Sequence, residues 1–111
     1  MKLLQVAARV AEESLDGRSF LLGCVAKRKD GTLVYSYNSH SNFPLYAGHA
    51  EARVLRKAGK GATLWVARIL RLNGEWAMAR PCSRCQALLK NKKVKKVYYT
   101  IGPNEYGTWR P

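Results

Sequence analysis

Residues 49–70, HAEARVLRKAGKGATLWVARIL, change character once, and that change decides the fold. Ala50, Glu51, Ala52, Val54, Leu55 and Lys57 make residues 49–58 a run of good helix formers, and Gly59 to Gly61 supply the stop. Residues 62–72 then carry Thr63, Leu64, Trp65, Val66, Ile69 and Leu70, the aliphatic, aromatic and β-branched content of a strand. A helix that passes through glycines into a strand is the unit of an alternating α/β domain.

The flanks extend the pattern. Upstream, residues 20–27 and 32–38 are rich in aliphatic and aromatic residues and bracket Asp30-Gly31, which predicts a β-hairpin. Residues 39–48 hold Asn42, Pro44 and Gly48 and read as a loop. Residues 2–15 place Leu3, Ala7, Val10 and Ala11, with Leu4 and Leu15 alongside, at helical spacing, ended by Asp16-Gly17. Downstream, Asn73-Gly74 reads as a turn, residues 82–90 as a helix opening just after Pro81, and residues 94–101 as another strand. Helices packed on a mixed sheet are expected, in one domain spanning residues 1–111, without repeat or linker.

Twenty Lys and Arg against seven Asp and Glu give a formal charge of +13. A positive field of that size suits an anionic partner: nucleic acid, free nucleotides or an acidic membrane surface. The basic residues gather at Lys27-Arg28-Lys29 and across residues 90–96, where helix-end and sheet-edge lysines account for part of the excess. No apolar run approaches the roughly 20 residues of a membrane span, and Arg9, Glu12 and Glu13 interrupt any signal peptide, so no membrane partner is expected. Cys82 and Cys85, spaced C-x-x-C among three cysteines, suit a metal or redox centre better than a structural disulfide, which points to a reducing, cytoplasmic location.

His49, Cys82 and Cys85 together offer one imidazole and two thiols to Zn²⁺, leaving a fourth position open, as a catalytic zinc requires. Both groups fall at predicted helix starts, where the positive end of the helix dipole favours thiolate over thiol. Glu51, two residues past His49, shares the helix start and is placed to move protons rather than to bind the metal. His40, in the loop, reads as a surface residue, and Cys24, on a core strand, as a small hydrophobe, so neither is taken as a fourth ligand. Tyr35 and Tyr37 share one face of a strand and read as sheet packing; Tyr106 and Trp109, near the end of the chain, are candidates to stack a base above the metal.

The pair H-A-E at 49–51 and P-C-S-R-C at 81–85 resembles the cytidine and deoxycytidylate deaminase superfamily of zinc-dependent nucleobase deaminases, whose signature is H-x-E…P-C-x-x-C. The likeness runs from Phe20 to about Thr100. It implies a three-layer α/β/α sandwich around a mixed central sheet, often in a homo-oligomer. It also implies that His49, Cys82 and Cys85 hold Zn²⁺, that Glu51 shuttles protons, and that the Ala50 backbone N–H donates to the base carbonyl. Asn38 matches the residue that contacts the sugar, and the Arg80 carbonyl, just before Pro81, the group that receives the substrate amine. A histidine as first ligand sets the chain apart from the free-cytidine enzymes and nearer the deoxycytidylate, transfer-RNA adenosine and polynucleotide branches. Because the sequence stops soon after Trp109, the family's last strand or helix is expected to be absent or very short, with another subunit covering the edge.

Three functions are expected from this, in order. The first is deamination of cytosine in a free nucleotide or nucleoside, deoxycytidylate being preferred because its phosphate suits the positive surface. The second is deamination of cytosine or adenine within single-stranded DNA or RNA. The third is a catalytically silent zinc domain that binds nucleic acid or protein, against which the intact Glu51 argues.

Overall fold

A computed structural model gives the fold and describes residues 2–13, 20–37, 50–81 and 83–111. In chain order the elements are α1 (Lys2–Ala11), β1 (Phe20–Lys27), β2 (Leu33–Tyr37), α2 (Ala50–Ala58), β3 (Thr63–Leu70), β4 (Trp76–Ala77), α3 (Ser83–Asn91), β5 (Lys96–Gly102) and β6 (Glu105–Trp109). The strands form one sheet in the order β2-β1-β3-β5-β6, and β4 pairs with the end of β3. All pairings are antiparallel except β3 with β5, so the sheet is mixed as expected.

Alternation along the strands builds two cores. On β1 and β3, Cys24, Ala26, Leu64 and Val66 face one side and pack with Val54 and Leu55 of α2 and Leu89 of α3. Val25, Trp65 and Ala67 face the other side and pack with Leu4 and Ala7 of α1. The result is the three-layer α/β/α sandwich, with α1 on one face and α2 and α3 on the other. Gly23 permits the close approach of α1, since a Cβ there would run into the Ala7 carbonyl oxygen and the Ala11 nitrogen. Cys24 is a fully buried thiol in the α2/α3 core, as its place on β1 implies.

Apart from end shifts of one or two residues and the added two-residue β4, three differences from the sequence reading stand out. α1 ends at Ala11, and Glu12 and Glu13 form a turn; two carboxylates at a helix C-terminus oppose its dipole. The expected end at Leu15 and Asp16-Gly17 lies outside the described residues. β3 ends at Leu70, where Gly74 (φ +73°) donates its N–H to the Leu70 carbonyl and turns the chain into β4. The third difference is β6. It is a five-residue strand antiparallel to β5, where the last strand was expected to be absent or very short. Pro103 and Asn104 (φ +59°) make the turn between them, and Gly107 leaves room for the Tyr99 ring to lie across the new strand. No helix among the described residues is long and apolar enough to cross a membrane.

Candidate active site

Two nine-residue helices place the site. The segments that leave α2 and α3 are tied together by Gly61 N–H to the Lys92 carbonyl (3.1 Å) and Lys95 N–H to the Ala62 carbonyl (2.9 Å). From there β3 and β5 run parallel, with Thr63 opposite Lys96. Each helix therefore returns along the sheet against the direction of the strand that follows it. Both helix starts consequently lie at the carboxyl end of the parallel pair, where open α/β sheets bind their ligands.

The residues leading into α3 are fixed at that same end. Ala79 is buried and donates its N–H to the Thr100 carbonyl (2.9 Å), so residues 79–81 cross the carboxyl end of β5. The Thr100 hydroxyl donates to the Ala77 carbonyl (2.7 Å) and accepts from the Arg68 N–H (3.1 Å), closing the gap where β3 exchanges β5 for β4. Pro81 is buried, and its carbonyl accepts the Gln86 Nε2 amide at 2.9 Å. The far end of α3 closes in a Schellman motif: Lys93 (φ 52°) donates to the Lys90 carbonyl and Val94 to the Leu89 carbonyl, with Val94 and Leu89 both buried.

Of the expected metal ligands, Cys85 is the third residue of α3, fully buried and not in a disulfide. His49 and Cys82, which directly precede α2 and α3 in sequence, lie outside the described residues, as do Asn38, His40 and the loop of residues 39–48. Ala50 and Glu51 are the first two residues of α2. Among the described residues, no three of His, Cys, Asp and Glu converge on one point, two of the three expected ligands being outside them. Cys85 fits zinc by its place in the first turn of α3, because the positive end of a helix dipole favours thiolate, the form that binds metal, over thiol.

The remaining expected contacts separate. Arg80 is exposed beside buried Pro81 at the mouth of α3. Trp109 is half-buried against the α2/α3 core. Tyr106 is opposite Thr100 and on the other face, at the end of a ladder in which Trp65 stacks on Tyr98 (5.4 Å, 6° between planes) and Tyr98 tilts against Tyr106 (6.3 Å). That face carries α1, whereas α2 and α3 cover the opposite one. Sequence reasoning did not single out Gln86 or Thr100; their signal was a polar side chain one turn into a helix and a lone hydroxyl on a core strand.

The family described as the cytidine and deoxycytidylate deaminase zinc-binding region matches residues 1–101. The chain belongs to this family. It is thus a zinc-dependent deaminase, a hydrolase, and its metal is Zn²⁺. The cytidine deaminase of Burkholderia pseudomallei superposes with a TM-score of 0.70 over 98% of this chain and 90% of its own, at 17% identity. That of Mycobacterium leprae does so at 0.61 over 95% and 88%, at 23% identity. Both likenesses concern the fold alone. Acinetobacter baumannii RibD matches at 27% identity with a TM-score of 0.61, over 88% of this chain, which spans 27% of that longer protein. No curated protein sequence matches significantly.

Proposed function

We propose that this deaminase converts cytosine to uracil in a free nucleotide or nucleoside, with deoxycytidylate preferred, and that residues 1–111 form its single domain. The observation that carries the reading is the shared end of the sheet: α2 opens there with Ala50 and Glu51, and α3 opens there with a buried thiol, Cys85, in its first turn.

In this reading His49, Cys82 and Cys85 hold the metal. Zn²⁺ held there supplies a Lewis acid that makes water nucleophilic near neutral pH. The Ala50 N–H donates to the base carbonyl, Asn38 contacts the sugar, and the Arg80 carbonyl receives the exocyclic amine. Glu51 takes one proton from water and delivers it to N3 of the ring as the oxygen bonds to C4; it then takes the second proton from the C4 hydroxyl and delivers it to N4, so that the C4–N4 bond breaks, ammonia leaves and C4 keeps the oxygen as a carbonyl. Gln86 holds the Pro81 carbonyl and so orients the peptide that leads into Cys82. Trp109 remains a candidate wall for the base; Tyr106, on the face that carries α1, is not part of the proposal.

Ammonia release from dCMP, CMP, cytidine, deoxycytidine and single-stranded oligonucleotides tests the reading. Turnover of dCMP above the nucleosides is the expected result. The charge of +13 favours one second reading, deamination of cytosine or adenine within a single strand, with the lysines of residues 90–96 tracking the backbone. Turnover confined to oligonucleotides would select it, and no turnover of any substrate would leave a zinc domain that only binds.

A further inference from the structure

A groove of about 660 Å³ wraps the edge of β2 that pairs with no other strand among the described residues, within the size range of small-molecule sites. It runs past Tyr35, Ser36 and Tyr37, with Arg53 and Lys57 of α2 on one side and Glu13, in the turn after α1, on the other. The tyrosines read from sequence as sheet packing, yet Tyr35 is 44% exposed and Tyr37 lies under a cation.

The two cations are four residues apart on one helix, so they share a face. The Arg53 guanidinium donates from Nε to the Ser36 hydroxyl (3.2 Å), itself 4% exposed, and sits 5.3 Å from the centre of the Tyr37 ring. Its planar head is thereby oriented in advance, and the guanidinium fork matches a phosphate. Lys57 donates to the Tyr35 carbonyl (2.8 Å), which faces away from β1, and an ammonium carries three donors. Arg53 follows Glu51 by two residues, about 3 Å along the same rigid helix, so the groove and the start of α2 keep a fixed spacing. Glu13, on the far wall, confines an anion to the α2 side.

We propose that this groove is a phosphate subsite, in which Arg53 and Lys57 bind the phosphate attached to the sugar of the substrate. The inference rests on the deaminase reading above for the placement of base and sugar. The phosphate is that of a mononucleotide or one in the backbone of a strand, and binding distinguishes the two.

Equilibrium binding of dCMP, deoxycytidine and an oligodeoxycytidylate to the zinc-loaded Glu51→Gln protein, which consumes them too slowly to disturb the equilibrium, is the test, with ammonia release followed on the protein that keeps Glu51. With a mononucleotide as source, dCMP binds at least ~10-fold more tightly than deoxycytidine. Arg53→Gln and Lys57→Gln each remove most of that difference while deoxycytidine affinity holds, and Arg53→Lys recovers part of it. With a strand as source, Arg53→Gln weakens the oligonucleotide and leaves both monomers alone. Lys57 is exposed, so its variant keeps the test available should Arg53→Gln fail to fold. Equal binding of dCMP and deoxycytidine, with oligonucleotide affinity indifferent to both substitutions, overturns the subsite. So does an equal loss of dCMP and deoxycytidine affinity in the variants. A preserved phosphate preference without ammonia release instead refutes the deaminase reading, whereas turnover of dCMP and deoxycytidine with the same KM, and no oligonucleotide effect, refutes the subsite alone.

Discussion

Thr100 shows how one side chain can hold a sheet together where its pairing changes. Its hydroxyl satisfies the Arg68 N–H and the Ala77 carbonyl at the point where β4 replaces β5 beside β3, and the residue is fully buried. Thr100→Val keeps the shape and leaves two backbone groups without that partner, so it is expected to cost about 2–3 kcal/mol, read as a lower urea midpoint with an unchanged slope. The lost hydroxyl also anchors the Ala77 carbonyl, two residues before Ala79 and the approach to α3, so the same change is expected to lower turnover as well as stability. At this scale the sequence was legible where a residue type implies a chemistry. Cys85 stands out in the sequence because thiols at C-x-x-C spacing have few uses; it lies buried in the first turn of α3, and its part in holding metal belongs to the proposal. Thr100, Gln86 and Arg53 were not found, because a hydroxyl, an amide and a guanidinium become specific only through partners distant in sequence.

At the scale of elements, the layers depend on how closely α1 approaches the sheet. Gly23→Ala places a methyl group against the backbone of α1 at Ala7 and Ala11, and a helix backbone cannot swing aside as a side chain does. A loss of about 2–3 kcal/mol is expected, again measured by denaturant unfolding. The hairpin, α2, β3 and α3 were all legible, because each couples a periodic run to a stop: Asp30-Gly31, Gly59 to Gly61, or Pro81. β6 was missed although Gly102-Pro103-Asn104 spells a turn. Glu105, Tyr106 and Thr108 lie exposed on an edge strand, so no alternation of apolar with polar residues advertises it. β4 has two residues and is held by the Leu70 N–H to Glu75 carbonyl bond of its turn, which leaves no periodicity to read.

At the scale of the whole molecule, the described residues bury a modest core on each face of the sheet, and a small core hides a smaller fraction of its surface than a larger one. Zinc that binds the native state and not the unfolded chain therefore matters to stability. Chelation is expected to lower Tm, and added Zn²⁺ to restore it, by an amount equivalent to about 3 kcal/mol at a hundredfold excess over Kd. A Tm indifferent to chelator would mean that the helix starts hold no metal. The fold followed from the order of runs along the chain, whereas the position of Tyr106 did not. A residue can sit near the end of the sequence and still be on either face of an edge strand, since one step of register exchanges the faces.

The measurement closest to the central claim is ammonia release by zinc-loaded Glu51→Gln beside the unsubstituted protein, with zinc content determined on both. The account requires the variant to keep its metal and fold while turnover falls by about 10² to 10⁴. Near-normal turnover from a zinc-replete Glu51→Gln protein would contradict it.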